Sequence, residues 1–248
     1  MHRFYIVNNQ VQDGTIHLTG EDVNHIKNVL RMRIGEKAIL CNQEGKDYYC
    51  SVLDIRSDSV IFSIEEEKNS DTELKGKIFL FQGLPKKDKM ELIIQKAVEL
   101  GVYEIIPVMT SRTIVKLEDA KKEQKKLERW QAISVSAAKQ SGRGIIPRVT
   151  EVYSFKEALE YANKLDKKLL PYENEKGMLF TREVIDQINP ADSVGVFIGP
   201  EGGFEEREVQ EASKYGFVPI TLGKRILRTE TAGLTALSLL MFKMESGI

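Results

Sequence analysis

The spacing of hydrophobic residues changes near residue 70. Before that point, short apolar runs and alternating apolar and polar positions predict strands at residues 3–7, 37–42, 48–55 and 59–67. One helix is predicted over residues 20–32, with Thr19 at its N-cap and acidic residues in its first turn. Residues 65–77, EEEKNSDTELKGK, are polar and without a period, which is typical of a linker. The pattern therefore predicts a β-rich domain, residues 1–72, that ends in a linker.

In the rest of the chain, strand-like runs alternate with helix-like segments. Strands are predicted at residues 77–84, 103–109, 167–172, 193–199 and 217–223. Helices are predicted at residues 86–101, 117–139, about 154–164, 205–216 and 229–244. This alternation indicates a parallel sheet covered by helices on both faces. Residues 73–248 are therefore predicted to form an α/β domain.

Three loops at predicted strand ends have an unusual composition. They are LLPYENE at 169–175, FIGPEGGF at 197–204 and LGKRILRTETAG at 222–233. Open α/β sheets bind ligands beyond the carboxyl ends of their strands, and glycine lets the backbone approach a ligand closely. One such loop alone fits a tight strand-to-helix turn equally well, and neither a phosphate-binding P-loop nor a dinucleotide fingerprint is present. Three loops together favour a ligand site.

Composition and charge narrow the function classes. The 248 residues carry a net charge of −1, which excludes a broadly basic nucleic-acid binder, although residues 1–72 are at −4 and basic runs occur at 85–89, 121–126 and 223–228. Cys41 and Cys50 are the only cysteines, so neither a disulfide framework nor a metal site is expected. No signal peptide, no membrane span and a cytoplasmic location are expected.

The two glycine-containing motifs together point to a family. FIGPEGGF at 197–204, followed about twenty residues later by LGKRILRTETA, resembles the ribosomal RNA small-subunit methyltransferase E family, within the SPOUT class. HIKNVLRMRIGE at 25–36, residues 84–116 and AAKQSGRGIIPRV at 137–149 resemble further segments of that family. Lys139 departs from the acidic residue expected at its position.

This resemblance implies a fold and an activity. The expected fold is a small PUA-like RNA-binding domain followed by a SPOUT-type parallel sheet with a trefoil knot. The expected reaction is methylation of N3 of a uridine in small-subunit (16S) ribosomal RNA, with S-adenosyl-L-methionine as the cofactor. The expected partners are that rRNA, in an assembled or late-assembling 30S subunit, and a second copy of the chain in a homodimer, with no membrane and no metal.

The resemblance also supplies candidate cofactor-binding residues in the three loops. They are Leu170, Pro171, Glu173, Ile198, Gly199, Pro200, Glu201, Gly202, Gly203, Leu222, Gly223, Ile226 and Leu227.

The chemistry of uracil suggests the catalytic candidates. N3 carries a proton, so methylation needs a base or cations that stabilise the anionic uracil. Arg228 and Arg143 are candidates for the cations because guanidinium groups suit uracil oxygens, and Glu201 is a candidate base whose alternative task is to bind loop N–H groups. The candidate RNA-binding residues are Arg31, Arg33, Lys86, Lys89, Arg112 and Arg143.

Two other functions remain open at this point. The first is a non-catalytic RNA-binding factor in ribosome assembly that has kept the fold. The second is a related knotted methyltransferase that acts on tRNA or on another rRNA base. The intact glycine loops favour an enzyme over the first, and only the family motifs disfavour the second.

Overall fold

The computed structural model describes residues 1–114, 119–172 and 177–245, which form two compact units. The first unit contains Met1–Glu73 and Ala138–Ile146, and the second contains Leu74–Ala137 and Pro147–Ile248. The first unit ends close to the predicted boundary between residues 72 and 73, and a short segment from beyond it also groups with this unit.

The first unit is built on a six-stranded sheet. Its strands are β1 (His2–Tyr5), β2 (Val11–Gln12), β3 (Thr15–Thr19), β4 (Lys37–Cys41), β5 (Lys46–Ile55) and β6 (Ser59–Asn69). They are ordered β1-β4-β5-β6-β3-β2, and every pairing except that of β1 with β4 is antiparallel. Alternate strand residues, among them Phe4, Leu40 and Phe62, form the core of this unit.

The predicted helix of the first unit begins and ends differently from the expectation. It consists of α1 (Glu21–Asn24) followed by a stretch of π-helix over His25–Leu30. The prediction of Thr19 as the N-cap is wrong, because Thr19 pairs with Ser59 as the last residue of β3 and Gly20 takes the cap position. Gly20 has a φ of 86°, which turns the chain from the strand into the helix at a residue without a Cβ.

The segment predicted as a linker is partly strand. β6 continues through Asn69, where Glu66 and Glu67 lie opposite Tyr49 and Tyr48 of β5. The charged side chains of this stretch face solvent and form ion pairs with residues of other strands, Glu65 with Lys37 of β4 and Glu67 with Lys46 of β5. This end of β6 is exposed on both faces and therefore carries no apolar residues. Without alternating apolar positions, its sequence could not be recognised as a strand.

Residues 138–146 are tied to the first unit by hydrogen bonds. The Tyr5 hydroxyl donates to the carbonyl of Arg143 at 2.7 Å, and the Cys41 thiol lies 3.0 Å from the carbonyl oxygen of Gly144. Glu73 accepts a hydrogen bond from the backbone N–H of Gly144 at 2.8 Å and forms an ion pair with Arg143. These contacts explain why the segment belongs to a unit that is remote from it in sequence.

The second unit contains a seven-stranded sheet. Its strands are β7 (Lys77–Gly83), β8 (Val102–Met109), β9 (Arg148–Val149), β10 (Tyr153–Ser154), β11 (Lys167–Pro171), β12 (Ser193–Ile198) and β13 (Val218–Ile220). The order is β10-β8-β7-β12-β11-β13, with β9 also on β8, and all of these pairings are parallel. The predicted α/β class is confirmed.

Helices follow the strands of this sheet. They are α2 (Lys89–Glu99), α3 (Ala120–Ser141), α4 (Phe155–Ala162), α5 (Met178–Asp186), α6 (Glu206–Lys214) and α7 (Thr229–Glu245). Gly101 follows α2 with a φ of 85°, as its predicted place after the helix requires. An aromatic cluster that includes Phe81, Phe197 and Phe217 packs on one face of the sheet. The trefoil knot that the family resemblance implies stays a prediction.

None of the described helices combines the length and the apolar composition that crossing a bilayer requires.

Candidate active site

A pocket of about 610 Å³ lies beyond the carboxyl ends of β11, β12 and β13 in the second unit. The three loops predicted from the sequence meet there. Its lining consists of Lys89, Arg112, Pro171, Tyr172, Ile198 to Phe204, Thr221 to Thr229 and Ala232. The volume falls in the usual range of small-molecule sites, roughly 300–1,000 Å³. The location is the one at which open α/β sheets bind their ligands.

The glycines of the lining fall into two kinds. Gly203 and Gly223 have φ values of 66° and 117°, and a Cβ on either would meet no atom within 4 Å. These two positions therefore present bare backbone to open space. A Cβ on Gly199 would lie 3.2 Å from the backbone of Gly203, and one on Gly202 would lie 3.0 Å from the Cβ of Arg112. At these two positions a side chain would fit only if its neighbours shifted, so the packing of the loop favours glycine.

A three-residue charge cluster borders the pocket. The Lys89 ammonium, in the first turn of α2, lies 3.0 Å from the Glu201 carboxylate and 3.3 Å from the Glu230 carboxylate. The backbone N–H of Lys86 also donates to Glu201, at 3.2 Å. Glu201 thus joins the loop after β12 to the segment before α2, and Lys89 extends the connection to the start of α7.

This cluster makes Glu201 a weak base. Burial by itself raises the pKa of the Glu201 carboxyl, but the hydrogen bond and charge of Lys89 and the backbone N–H groups of Glu201 and Lys86 outweigh burial and lower that pKa. A carboxyl with a lowered pKa is a poorer proton acceptor. The surroundings of Glu201 therefore favour its alternative task of binding loop N–H groups.

Removing Lys89 tests this electrostatic account. We expect Lys89→Met to raise the pKa of Glu201 towards its ordinary value of 4.5, as measured by NMR titration of labelled carboxyl carbons. In the wild type, the stabilisation from Glu201 is present above that value and is lost as the pH falls through the lower, folded-state pKa. Lys96→Met is the matched control, because Lys96 lies on the same helix but pairs with Glu99. An unchanged Glu201 titration in Lys89→Met would contradict the account.

Basic side chains surround the remainder of the pocket. Arg112 donates from Nη1 to the carbonyl of Gly202 at 2.7 Å, which fixes the loop from outside. Lys224, Arg225 and Arg228 are exposed on the loop that precedes α7. Among the described residues, no hydrogen bond or ion pair engages the guanidinium of Arg228. Arg228 is thus available to an anionic group that enters the pocket.

The sequence matches known families over both units. A profile described as "RNA methyltransferase domain" matches residues 72–241, and one described as "RNA methyltransferase PUA domain" matches residues 18–65. The chain is 39% identical to "Ribosomal RNA small subunit methyltransferase E" of Bacillus subtilis (strain 168), with 99% of this chain and 98% of that protein covered. The identity with the protein of the same name from Mesomycoplasma hyopneumoniae (strain 232) is 36%, over 96% of this chain and 98% of that protein.

The chain belongs to the ribosomal RNA small subunit methyltransferase E family. Among solved structures, it resembles a ribosomal RNA small subunit methyltransferase E from Neisseria gonorrhoeae bound to S-adenosyl methionine. The TM-score is 0.82 at 36% identity, with 98% of this chain and 97% of that chain covered. The resemblance noted from the two motifs is confirmed.

The family resemblance assigned thirteen residues to cofactor binding, and most of these residues line the pocket. The exceptions are Leu170 and Glu173. Leu170 is fully buried in the aromatic cluster beneath the loops, because its side chain points into the core and not to the strand end. Glu173 lies outside the described residues. The sequence assigned no role to the other lining residues, all of which lie in or next to the same motifs: Tyr172, Phe204, Thr221, Lys224, Arg225, Thr229 and Ala232.

The assigned RNA-binding residues are distributed over several places. Lys89 and Arg112 line the pocket, where each is already engaged with loop atoms. Lys86 is exposed just before α2. Arg31 and Arg33 are exposed in the first unit, with Arg31 in a left-handed conformation (φ 54°) where the π-helix ends. The sequence signal that places Lys89 and Arg112 at the pocket is that Lys89 opens the helix after β7 and that Arg112 follows shortly after the end of β8.

The structure engages Arg143 within the first unit, and its assignment to catalysis and RNA binding stays a prediction. Arg143 belongs to the first unit, is only 4% exposed and forms an ion pair with Glu73. Its guanidinium is thus buried and engaged with Glu73, which does not favour a contact with uracil or phosphate. The family segment QSGR therefore contributes to the architecture of the first unit.

Other chemistries find little support among the described residues. Burial raises the pKa of the Cys41 thiol to about 11 and that of Cys50 to about 12, so neither thiol is a nucleophile near neutral pH. Within the described ranges, His, Cys, Asp and Glu side chains do not gather in any group of three or more that could hold a metal ion.

Proposed function

We propose that this protein catalyses the transfer of a methyl group from S-adenosylmethionine to N3 of a uridine in the 16S rRNA of the small ribosomal subunit. The observation that carries the proposal is the pocket at the carboxyl ends of β11, β12 and β13, built from the family's two glycine-containing motifs. The Bacillus subtilis relative, similar over 99% of this chain, supports the substrate class.

The pocket fits the cofactor. Gly203 and Gly223 present bare backbone to it, so N–H and C=O groups are accessible to an adenine edge. Ile198, Leu222 and Leu227 supply apolar surface, and Glu201 and Glu230 place negative charge at its border. When bound, S-adenosylmethionine supplies a methyl group carried on a positively charged sulfur. The mixture of apolar surface, bare backbone and carboxylates suits a nucleoside with a cationic side chain.

Arg228 stabilises the reacting uracil in this proposal. N3 of uracil becomes nucleophilic as it loses its proton, and negative charge then develops on the neighbouring carbonyl oxygens. The Arg228 guanidinium lines the pocket and offers a planar set of donors to those oxygens. Because the pKa of Glu201 is lowered, we assign the removal of the proton to solvent, with the anion stabilised by Arg228.

The first unit recruits the RNA. Arg31 and Arg33 are exposed at the end of the π-helix, in a unit whose sequence carries little other clustered positive charge. We expect Arg31→Ala combined with Arg33→Ala to weaken RNA binding and to reduce the slope of log K against log salt by about 1.5, since two phosphate contacts are lost. Filter binding over a salt series measures the slope, and calorimetry should find cofactor affinity unchanged. An unchanged slope would remove the pair from the RNA interface.

A homodimer is the proposed assembly. α7 is apolar on most of its surface, and Leu239 and Phe242 remain 39% and 73% exposed in one copy of the chain. A second copy that covers this helix would bury them. We expect light scattering to give a dimer at micromolar concentration and Phe242→Lys to shift it towards monomer. Leu53→Lys, an equally conspicuous exposed apolar residue of the first unit, is the control. A wild-type monomer would exclude the dimer.

Substrate identity is tested directly by methylation with labelled cofactor. Naked 16S rRNA, assembled 30S subunits and tRNA are compared, and the labelled nucleoside is identified after digestion. We expect N3-methyluridine, with 30S subunits as the preferred substrate. Label in tRNA alone would indicate a different RNA, and no transfer despite cofactor binding would indicate a non-catalytic protein.

A further inference from the structure

Gln82 is a buried amide in an otherwise apolar strand. It lies near the end of β7, paired with Pro107 of β8 on one side and Ile198 of β12 on the other. Its side chain is fully buried, whereas the preceding residues of the strand, IFLF, are all apolar. A polar side chain at such a position is costly unless it is hydrogen-bonded.

The hydrogen bonds of Gln82 lead to the pocket. Its Nε2 donates to the carbonyl of Gly83 at 2.9 Å and to Oγ1 of Thr229 at 2.9 Å. Thr229 Oγ1 in turn donates to the carbonyl of Gly199 at 2.6 Å. The carbonyl of Gly83 fixes the orientation of the amide, because only its nitrogen can donate there. With Oγ1 accepting from Gln82, the single hydroxyl hydrogen of Thr229 is directed to Gly199.

The oxygen of the Gln82 amide, unlike its nitrogen, makes no stabilising contact of this kind within the part of the chain that the structure describes. Oε1 of Gln82 has no hydrogen-bond partner among the described residues. It lies under the backbone of α7, since a Cβ built on Gly233 would be 3.5 Å from it. An apolar side chain of the same length would avoid this unpaired oxygen. Stability of the fold alone therefore does not account for a glutamine here.

We propose that Gln82 is a positioning residue for the cofactor pocket, acting through the hydroxyl of Thr229 on the carbonyl of Gly199. Thr229 ends the loop that begins after β13, and Gly199 begins the loop that follows β12. Their hydrogen bond joins two of the pocket's loops, and Gln82 ties that bond to the middle of the sheet. Gly199 packs tightly against Gly203, so a displaced Gly199 carbonyl also displaces the rest of its loop.

This inference rests on the proposed cofactor site, and it is tested by binding of S-adenosylhomocysteine in calorimetry. We expect Gln82→Met and Thr229→Val each to weaken binding about tenfold, the effect of one lost hydrogen bond. The double variant should lose little more than either single one, because the two side chains act in series. Thr229→Ser, which keeps the hydroxyl, should recover most of the loss seen in Thr229→Val.

Two further measurements separate positioning from general stability. Thermal unfolding without ligand should leave Gln82→Met at least as stable as the wild type, while amide exchange of residues 201–204 becomes faster. Ser134→Ala is the matched control, since Ser134 makes a buried hydroxyl bond to the Pro147 carbonyl away from the pocket and should lose stability without losing affinity. Wild-type affinity in Gln82→Met, or additive losses in the double variant, would overturn the inference. Failure of the wild type to bind would instead overturn the cofactor site.

Discussion

Arg228→Ala is expected to lower the methylation rate about 100- to 1,000-fold at saturating rRNA and cofactor. This is the usual cost of removing one donor that stabilises a developing negative charge. The guanidinium lines the pocket without a partner among the described residues, so its removal leaves the surrounding structure as it is. Single-turnover measurement gives the rate of the chemical step, and affinity for S-adenosylhomocysteine should be unchanged.

Two comparisons make this expectation specific. Arg228→Lys keeps the charge but loses the planar set of donors, so its rate should fall between those of the wild type and Arg228→Ala. Arg182→Ala removes an exposed arginine of α5 that lies outside the pocket lining and should have no effect on the rate. A loss of affinity for rRNA at constant turnover would instead make Arg228 a phosphate contact.

Gly223→Val is expected to weaken cofactor binding about 100-fold. A Cβ at Gly223 meets no protein atom within 4 Å, so the valine methyl groups extend into the open space of the pocket. Forcing extra carbon atoms into a site of fixed shape costs on the order of 1–3 kcal/mol, which corresponds to about 5- to 150-fold in affinity. Calorimetry with S-adenosylhomocysteine measures the effect.

The control for Gly223 must share its backbone strain. Gly177 has a φ of 93°, also has open space around its Cβ position and lies outside the lining that the structure describes. Gly177→Val should therefore lower thermal stability and leave affinity unchanged. Equal losses of affinity in the two variants would attribute the effect to strain. Gly199→Val is a less specific test, because a Cβ at that position already lies 3.2 Å from the backbone of Gly203.

The sequence predicted most of the second unit because its signals are local. Each strand is a short apolar run, and most helices have a clear apolar face. The helix α5 was missed: its N-cap is Gly177, which provides no side-chain cap, and Met178 and Leu179 are exposed in its first turn. An amphipathic helix is recognised by apolar residues that recur on its buried face. Apolar residues on the exposed face disturb that spacing, so the helix was not recognised.

Most of the candidate site was also predictable, because its lining residues lie close together in the sequence. Two contiguous motifs contain most of the pocket lining, whereas the interactions that hold the loops connect distant residues. Lys89 meets Glu201 and Glu230, and Gln82 meets Thr229, through packing of the sheet alone. The pairing of Arg143 with Glu73 is not visible in the sequence for the same reason, because the two residues lie 70 positions apart.

The discontinuity of the first unit constrains the order in which the protein matures during synthesis. The six strands of the first sheet are complete at Asn69, but residues 138–146 that group with it follow only after much of the second unit has been made. At about 5–20 residues per second, the sheet waits roughly 4–15 s for its last segment to leave the ribosome. During that interval the thiol of Cys41 and the carboxylate of Glu73 lack the partners that they have in the finished fold. The N-terminal unit is therefore begun first, but its last segment follows only after Leu74–Ala137 of the second unit have been made.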